Sequence, residues 1–153
     1  MSIFIGGTGS ANEFEDYEEG TFSPRLGGTT NYGSYYATGT GSYTKTGSQV
    51  TVSIRFENID LNNSAAGQVM IFNMPFSGGR NPTNGSAGVS TNAAYHSVAQ
   101  GQDNEHTWYI TENSGTWHGL VSRHNNSWVG FPVSDFHSSV LYVMFSGTYF
   151  TDS

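Results

Sequence analysis

An antiparallel all-β sandwich, jelly-roll-like in its strand pattern, is the fold class predicted by this 153-residue sequence, and three observations predict it. Aromatic residues reach 14% while charged residues stop at 11%, and a disordered chain is poor in aromatics. Gly, Ser, Thr and Asn replace the missing charge; they suit turns and strand edges, and no stretch sustains an apolar period near 3.6. The apolar runs are short, separated by turn signals and free of any fixed repeat, which points to a sandwich rather than a propeller or β-helix. The length fits one domain that buries about 70% of its unfolded surface, enough for a core without crosslinks.

The elements follow in chain order. Ile3-Phe4-Ile5 is a short apolar strand inside a Gly-rich arm or linker, residues 1–12, ahead of a knob domain over 13–153. Residues 27–41, rich in Gly, Thr, Ser and Tyr, read as a long loop or irregular edge. Val50, Val52, Ile54 and Phe56 alternate with Thr51, Ser53, Arg55 and Glu57, so one face of this strand is buried. Gln68 to Asn73 is apolar on both faces and stops before Pro75; the stretch Ser77 to Gly85 is dense in breakers. Ala93–Ala99 and His106–Thr111 read as strands, the second forming a hairpin with Thr116–Ser122 through Asn113-Ser114-Gly115. Asn125-Asn126 marks a turn before a strand over Ser127–Val133. The last strand, Ser139–Phe150, is apolar on both sides: Val140, Tyr142 and Met144 on one, Leu141, Val143 and Phe145 on the other. With no helix to cover its second face, neighbouring copies of the chain are expected to do so.

Charge and cysteine content exclude several functions. The net charge is −7, and Arg25, Lys45, Arg55, Arg80 and Arg123 are the only Lys or Arg residues, so no cluster exists to neutralise phosphates. Neither nucleic acid nor an anionic membrane surface is an expected partner, and no apolar run is long enough for membrane insertion. Without Cys there is no disulfide scaffold, thiol nucleophile or zinc–thiolate site. The five histidines, at 96, 106, 118, 124 and 137, follow no metal-binding spacing. No nucleophile elbow or nucleotide loop occurs, and the scattered carboxylates (Glu105 and Glu112 flank one strand) make glycan hydrolysis the weaker reading. No cofactor is expected.

The most distinctive segment is acidic: Glu13, Glu15, Asp16, Glu18 and Glu19 place five carboxylates in seven positions, followed by Gly20-Thr21-Phe22-Ser23-Pro24. As chemistry this is a solvated run or a contact for a basic partner; a Ca²⁺ site is the lesser reading, because the spacing matches no known loop. As sequence, Gly6 to Asn12 with Asp16-Tyr17-Glu18-Glu19-Gly20-Thr21-Phe22 and Pro24 resembles the opening of a domain found at the C-terminal ends of bacteriophage tail fibres and related virion proteins. Gly41-Ser42-Tyr43-Thr44-Lys45-Thr46-Gly47, Met74-Pro75-Phe76 and Phe145-Ser146-Gly147-Thr148-Tyr149 continue it in order over nearly the whole chain. Phe22-Ser23 stands where such domains often have Trp-Thr, and Met74 where Leu is usual. The resemblance implies a non-enzymatic virion structural protein, a homotrimer whose distal sandwich meets the host surface. The start at Met1 leads us to expect a tail-tip piece, a head decoration or a short fibre knob rather than a long fibre.

Adaptable binding loops combine rigid aromatic area with short hydrogen-bonding groups. On that ground Tyr35, Tyr36, Arg80, Trp117, His118, Asn125, Asn126 and Trp128 are the candidate binding residues for a host-surface glycan or receptor. Trp108, alternating with Ile110, reads as core. Ile3, Phe4 and Ile5 are the candidate attachment to other virion proteins. A capsid decoration or cement protein is the alternative function.

Overall fold

In the computed structural model, alternation along one strand organises the molecule: Val50, Val52, Ile54 and Phe56 are buried while their neighbours from Gln49 to Glu57 are exposed. The structure describes residues 3–4, 13–14, 17–30, 35–59, 66–79, 86–90, 92–95, 105–111, 113–123, 126–133 and 142–152. The described strands are β1 (Ile3–Phe4), β2 (Glu13–Phe14), β3 (Tyr17–Phe22), β4 (Arg25–Thr30), β5 (Tyr35–Thr38), β6 (Thr40–Thr46), β7 (Gln49–Glu57), β8 (Ala66–Phe72), β9 (Ser86–Ser90), β10 (Asn92–Tyr95), β11 (Glu105–Thr111), β12 (Trp117–Arg123), β13 (Asn126–Gly130) and β14 (Tyr142–Phe150). No α-helix occurs among the described residues.

Two antiparallel sheets form the sandwich. One has five strands in the order β10-β14-β7-β6-β3; the other has seven, β5-β4-β8-β12-β11-β9, with β13 also pairing with β12. The all-β sandwich expected from the sequence is therefore the fold. Strands β1 and β2 make a separate ribbon, Ile3 opposite Phe14, so part of the expected attachment arm pairs with the acidic block.

Between the sheets, Val143, Phe145 and Tyr149 join the β7 residues to face Leu26, Val69, Ile71, Trp108, Ile110, Trp117, Val121 and Phe131. Edge-to-face ring contacts cross the gap: Trp108–Phe145 at 5.5 Å, Trp117–Phe145 at 5.1 Å and Trp117–Tyr149 at 5.7 Å between centroids. Such pairs add to the burial of the rings themselves. Trp108 is core, as its alternation with Ile110 predicted.

Three expectations are sharpened. Of the two readings for residues 27–41, the described residues take the irregular edge and not the loop: β5 is the edge strand of the seven-stranded sheet, its pairing with β4 shifts register between Leu26 and Gly27, and β4 also pairs with β8, while residues 31–34 lie outside the described residues. Gly28 sits where backbones pass closely: a Cβ there would lie 2.1 Å from the Ala66 carbonyl oxygen. Strand β9 was not anticipated, and the strand expected over 93–99 is described as Asn92–Tyr95, its remainder lying outside the described residues. The final strand is described from Tyr142, with 139–141 outside the described residues. Among the described residues of its outward side, Met144 and Phe150 are 41% and 54% exposed, and Ser146 and Thr148 stand between them.

Candidate functional site

The hairpin β11–β12 decides which predicted binding residues face solvent. Its register sets Trp108 opposite Gly119, Tyr109 opposite His118 and Ile110 opposite Trp117. Successive residues of a strand point to opposite faces, so Trp117 and His118 part company. Trp117 is fully buried against Phe145 and Tyr149. It is a core residue and no part of a binding surface, which corrects the expectation from sequence. His118 takes the outer face, half-buried, its ring stacked on Tyr109 at 5.1 Å and 26°. Burial pushes its pKa below the usual histidine value.

Strand β13 adds Trp128. Val129 pairs with Val121 and packs on the core, whereas Gly130 pairs with Leu120. Trp128 thus shares the outer face with Leu120, His118 and Tyr109, and it is 64% exposed. Strand β12 is held on this side by β8 at Trp117 and His118 and by β13 from Leu120 onward. Phe131 sits at the changeover, its N–H donating to the Gly119 carbonyl at 2.8 Å and its carbonyl accepting from Val69 at 2.7 Å. Trp128 is thereby anchored three residues from a fixed point of the core.

The other candidates fall differently. Tyr35 and Tyr36 belong to the edge strand β5, and Asn126 begins strand β13 opposite Arg123 in an antiparallel pairing, where the sequence places a turn. Ile3 and Phe4 form β1. Arg80, Asn125 and Ile5 lie outside the described residues. Sequence reasoning missed Tyr109, although the alternation that buried Trp108 and Ile110 already sent it to the opposite face.

Among the described residues, parts of the segments that carry the resemblance meet at one place. Strand β3 pairs with β6 so that Gly20 lies opposite Tyr43 and Phe22 opposite Gly41. Each ring covers the facing glycine: a Cβ on Gly20 would come 2.8 Å from the Tyr43 ring, and one on Gly41 2.5 Å from Phe22. Phe76 of Met74-Pro75-Phe76 packs edge-on against Tyr43 at 5.2 Å, and Lys45 Nζ lies 5.9 Å from the same Phe76 ring. The Tyr149 hydroxyl donates to the Phe76 carbonyl at 3.0 Å and accepts from the Phe76 N–H at 3.3 Å. The strap around Phe76 is further tied to the β11–β12 turn through Met74 N–H to Gly115 O and Gly78 N–H to Ser114 O, at 3.1 and 2.8 Å.

Of the acidic block, Glu18 accepts from the Tyr43 hydroxyl at 2.6 Å and Glu19 from the Tyr17 hydroxyl at 2.8 Å. Each bond, more than any burial, raises its tyrosine's pKa. Among the described residues no three His, Asp or Glu side chains are grouped to hold a metal ion. No protein-family model matches this chain, and no curated protein is significantly similar to it.

Proposed function

We propose that the chain is a bacteriophage virion structural protein, the β-sandwich knob of a tail fibre or tail tip, which recognises a host-surface glycan or protein without catalysis. The observation that carries the recognition reading is Trp128, 64% exposed on the face that also bears the stacked Tyr109–His118 pair. An indole left in water on a rigid strand is contact area already paid in conformational entropy. Burying its exposed part against a sugar face or apolar side chain is worth about 3 kcal/mol. The virion assignment rests on the resemblance of the Glu18–Phe22, Gly41–Gly47, Met74–Phe76 and Phe145–Tyr149 segments.

Trimerisation belongs to the same proposal, since three weak sites on one particle give avidity. Tyr17 and Phe150, 52% and 54% exposed, stand at the two sides of one cross-strand row at the end of the five-stranded sheet. They are the apolar pair we assign to subunit contact.

The test is adsorption. Purified protein should bind host cells and block phage adsorption, and Trp128→Ala should weaken cell binding at least about tenfold, from loss of roughly half the indole contact, with an unchanged melting temperature. Binding to empty capsids alone would establish decoration instead, and full cell binding by the variant would remove Trp128 from the site.

A further inference from the structure

We propose that the outer face of the five-stranded sheet carries a second binding site, built by Thr21, Thr40, Ser42, Ser53 and Arg55, that takes one or two rings of a neutral saccharide. A shallow depression of about 310 Å³ opens there, lined by these side chains with Gly41 and Ile54. That volume lies at the lower end of ligand sites, about 300–1,000 Å³.

Register makes the depression a hydroxyl platform. Thr21 lies opposite Ser42 and Ser42 opposite Ser53, while the next row sets Thr40 opposite Arg55. Directly opposed side chains stand about 5 Å apart, comparable to the distance between hydroxyls on non-adjacent carbons of a pyranose ring. Among the described residues these four hydroxyls have no protein partner. Each is both donor and acceptor, which suits a ligand made of hydroxyls. Nearby Thr51 and Thr148, by contrast, satisfy one another across the strands at 3.2 Å.

Charge selects a neutral sugar over an acidic one. Arg55 Nη2 is held by Glu57 Oε1 at 2.6 Å, which balances its charge at the rim. A guanidinium has five N–H donors, more than this pair uses, so it can still donate to a sugar oxygen. Its Cζ lies 5.9 Å from the centroid of the Tyr142 ring, a cation–π contact beside the platform. Glu19 is on the same face, in the row beyond Thr21, and the molecule carries a net −7, both of which repel a uronate or sialate. Trp128 is on the other sheet, so this site is independent of the proposed adsorption surface.

The experiment is an amide-shift titration of the intact chain with glucose, galactose and N-acetylglucosamine, and with glucuronate as the anionic comparator. Saturable shifts at Thr21, Ser42, Ser53 and Arg55 in the millimolar range are expected, weaker with glucuronate. Ser53→Val, a favourable strand substitution, should weaken binding about tenfold through the lost hydrogen bond, and Trp128→Ala should leave it unchanged. The proposal is overturned by no saturable shift with any neutral sugar, by glucuronate binding as tightly, or by an unaffected Ser53→Val protein. Shifts that follow protein rather than sugar concentration would overturn it too, assigning the face to contact between copies.

Discussion

Tyr149→Phe removes one oxygen from the core and little else. The ring keeps its contact with Trp117, but the Phe76 N–H and carbonyl both lose their partner. An unsatisfied buried polar group costs about 1–3 kcal/mol; Phe76 is half-buried, so we take the low end for each and expect about 2 kcal/mol in total. For a domain of this size that lowers the melting temperature by about 4–8 °C. The urea midpoint should fall with an unchanged slope, since the surface exposed on unfolding is the same. Alkaline pH supplies a second readout. Burial raises the Tyr149 pKa above that of an unfolded tyrosine, with the bond to Phe76 offsetting a smaller part. A raised folded pKa gives stability that is complete below about pH 10 and lost as pH climbs toward the folded value. The phenylalanine variant has no such group, so the gap between the proteins should narrow above pH 10. Tyr17 and Tyr43, also raised, remain in both and cancel. A melting temperature within about 1 °C of the parent would show that the Phe76 strap is not braced by this hydroxyl.

The remaining predictions are shorter. Trp117→Ala should cost about 3–5 kcal/mol as a core truncation, read as a melting-temperature loss of about 6–20 °C; a stable variant defective in adsorption would restore Trp117 to the binding surface. His118, with its lowered pKa, makes the fold less stable as pH falls below about 6.5, where the unfolded chain takes up the proton first. His118→Gln should flatten the fall in denaturation midpoint between pH 7.5 and pH 5.5, and an unaltered slope would count against burial as the cause. Light scattering should give a mass three times that of the chain, and Phe150→Ser should release monomer; a parent that runs as monomer at working concentration removes the trimer.

Strand β7 was legible because one face is wholly apolar and the other wholly polar, and the β11–β12 hairpin because Asn113-Ser114-Gly115 breaks two strand-like runs; Asn113 does adopt a positive φ of 53°. Trp117 was not legible. An inward series at 117, 119 and 121 has glycine at its middle position, so apolar periodicity could not reveal which face Trp117 shares. That glycine is there because Phe131 crosses it, leaving 3.1 Å between a Cβ on Gly119 and the Phe131 Cβ. Strand β4 was hidden for the same reason: Gly27-Gly28 looks like a loop until the neighbouring β8 backbone is in place. The hydroxyl platform draws on β3, β6 and β7, and nothing local in any one segment announces a site assembled across a sheet.

The segments that make the chain resemble phage knob domains are those least able to choose a target. Gly20 and Gly41 are filled by facing rings, Tyr43 and Lys45 lie against Phe76, and Tyr149 hydrogen-bonds the same residue. Every one of these contacts closes the edge of the sandwich or ties its two sheets together. On the function proposed above, target selection falls to outward positions: Thr21 and Ser42 on these strands, and Trp128 and His118 on the other sheet. Because side chains alternate along a strand, a sequence can keep the inward glycine–aromatic pairs and rewrite the outward residues between them. On that proposal, a knob meeting a different host surface keeps the brace unchanged, so that likeness in these segments reports the scaffold and the outer faces set what it holds.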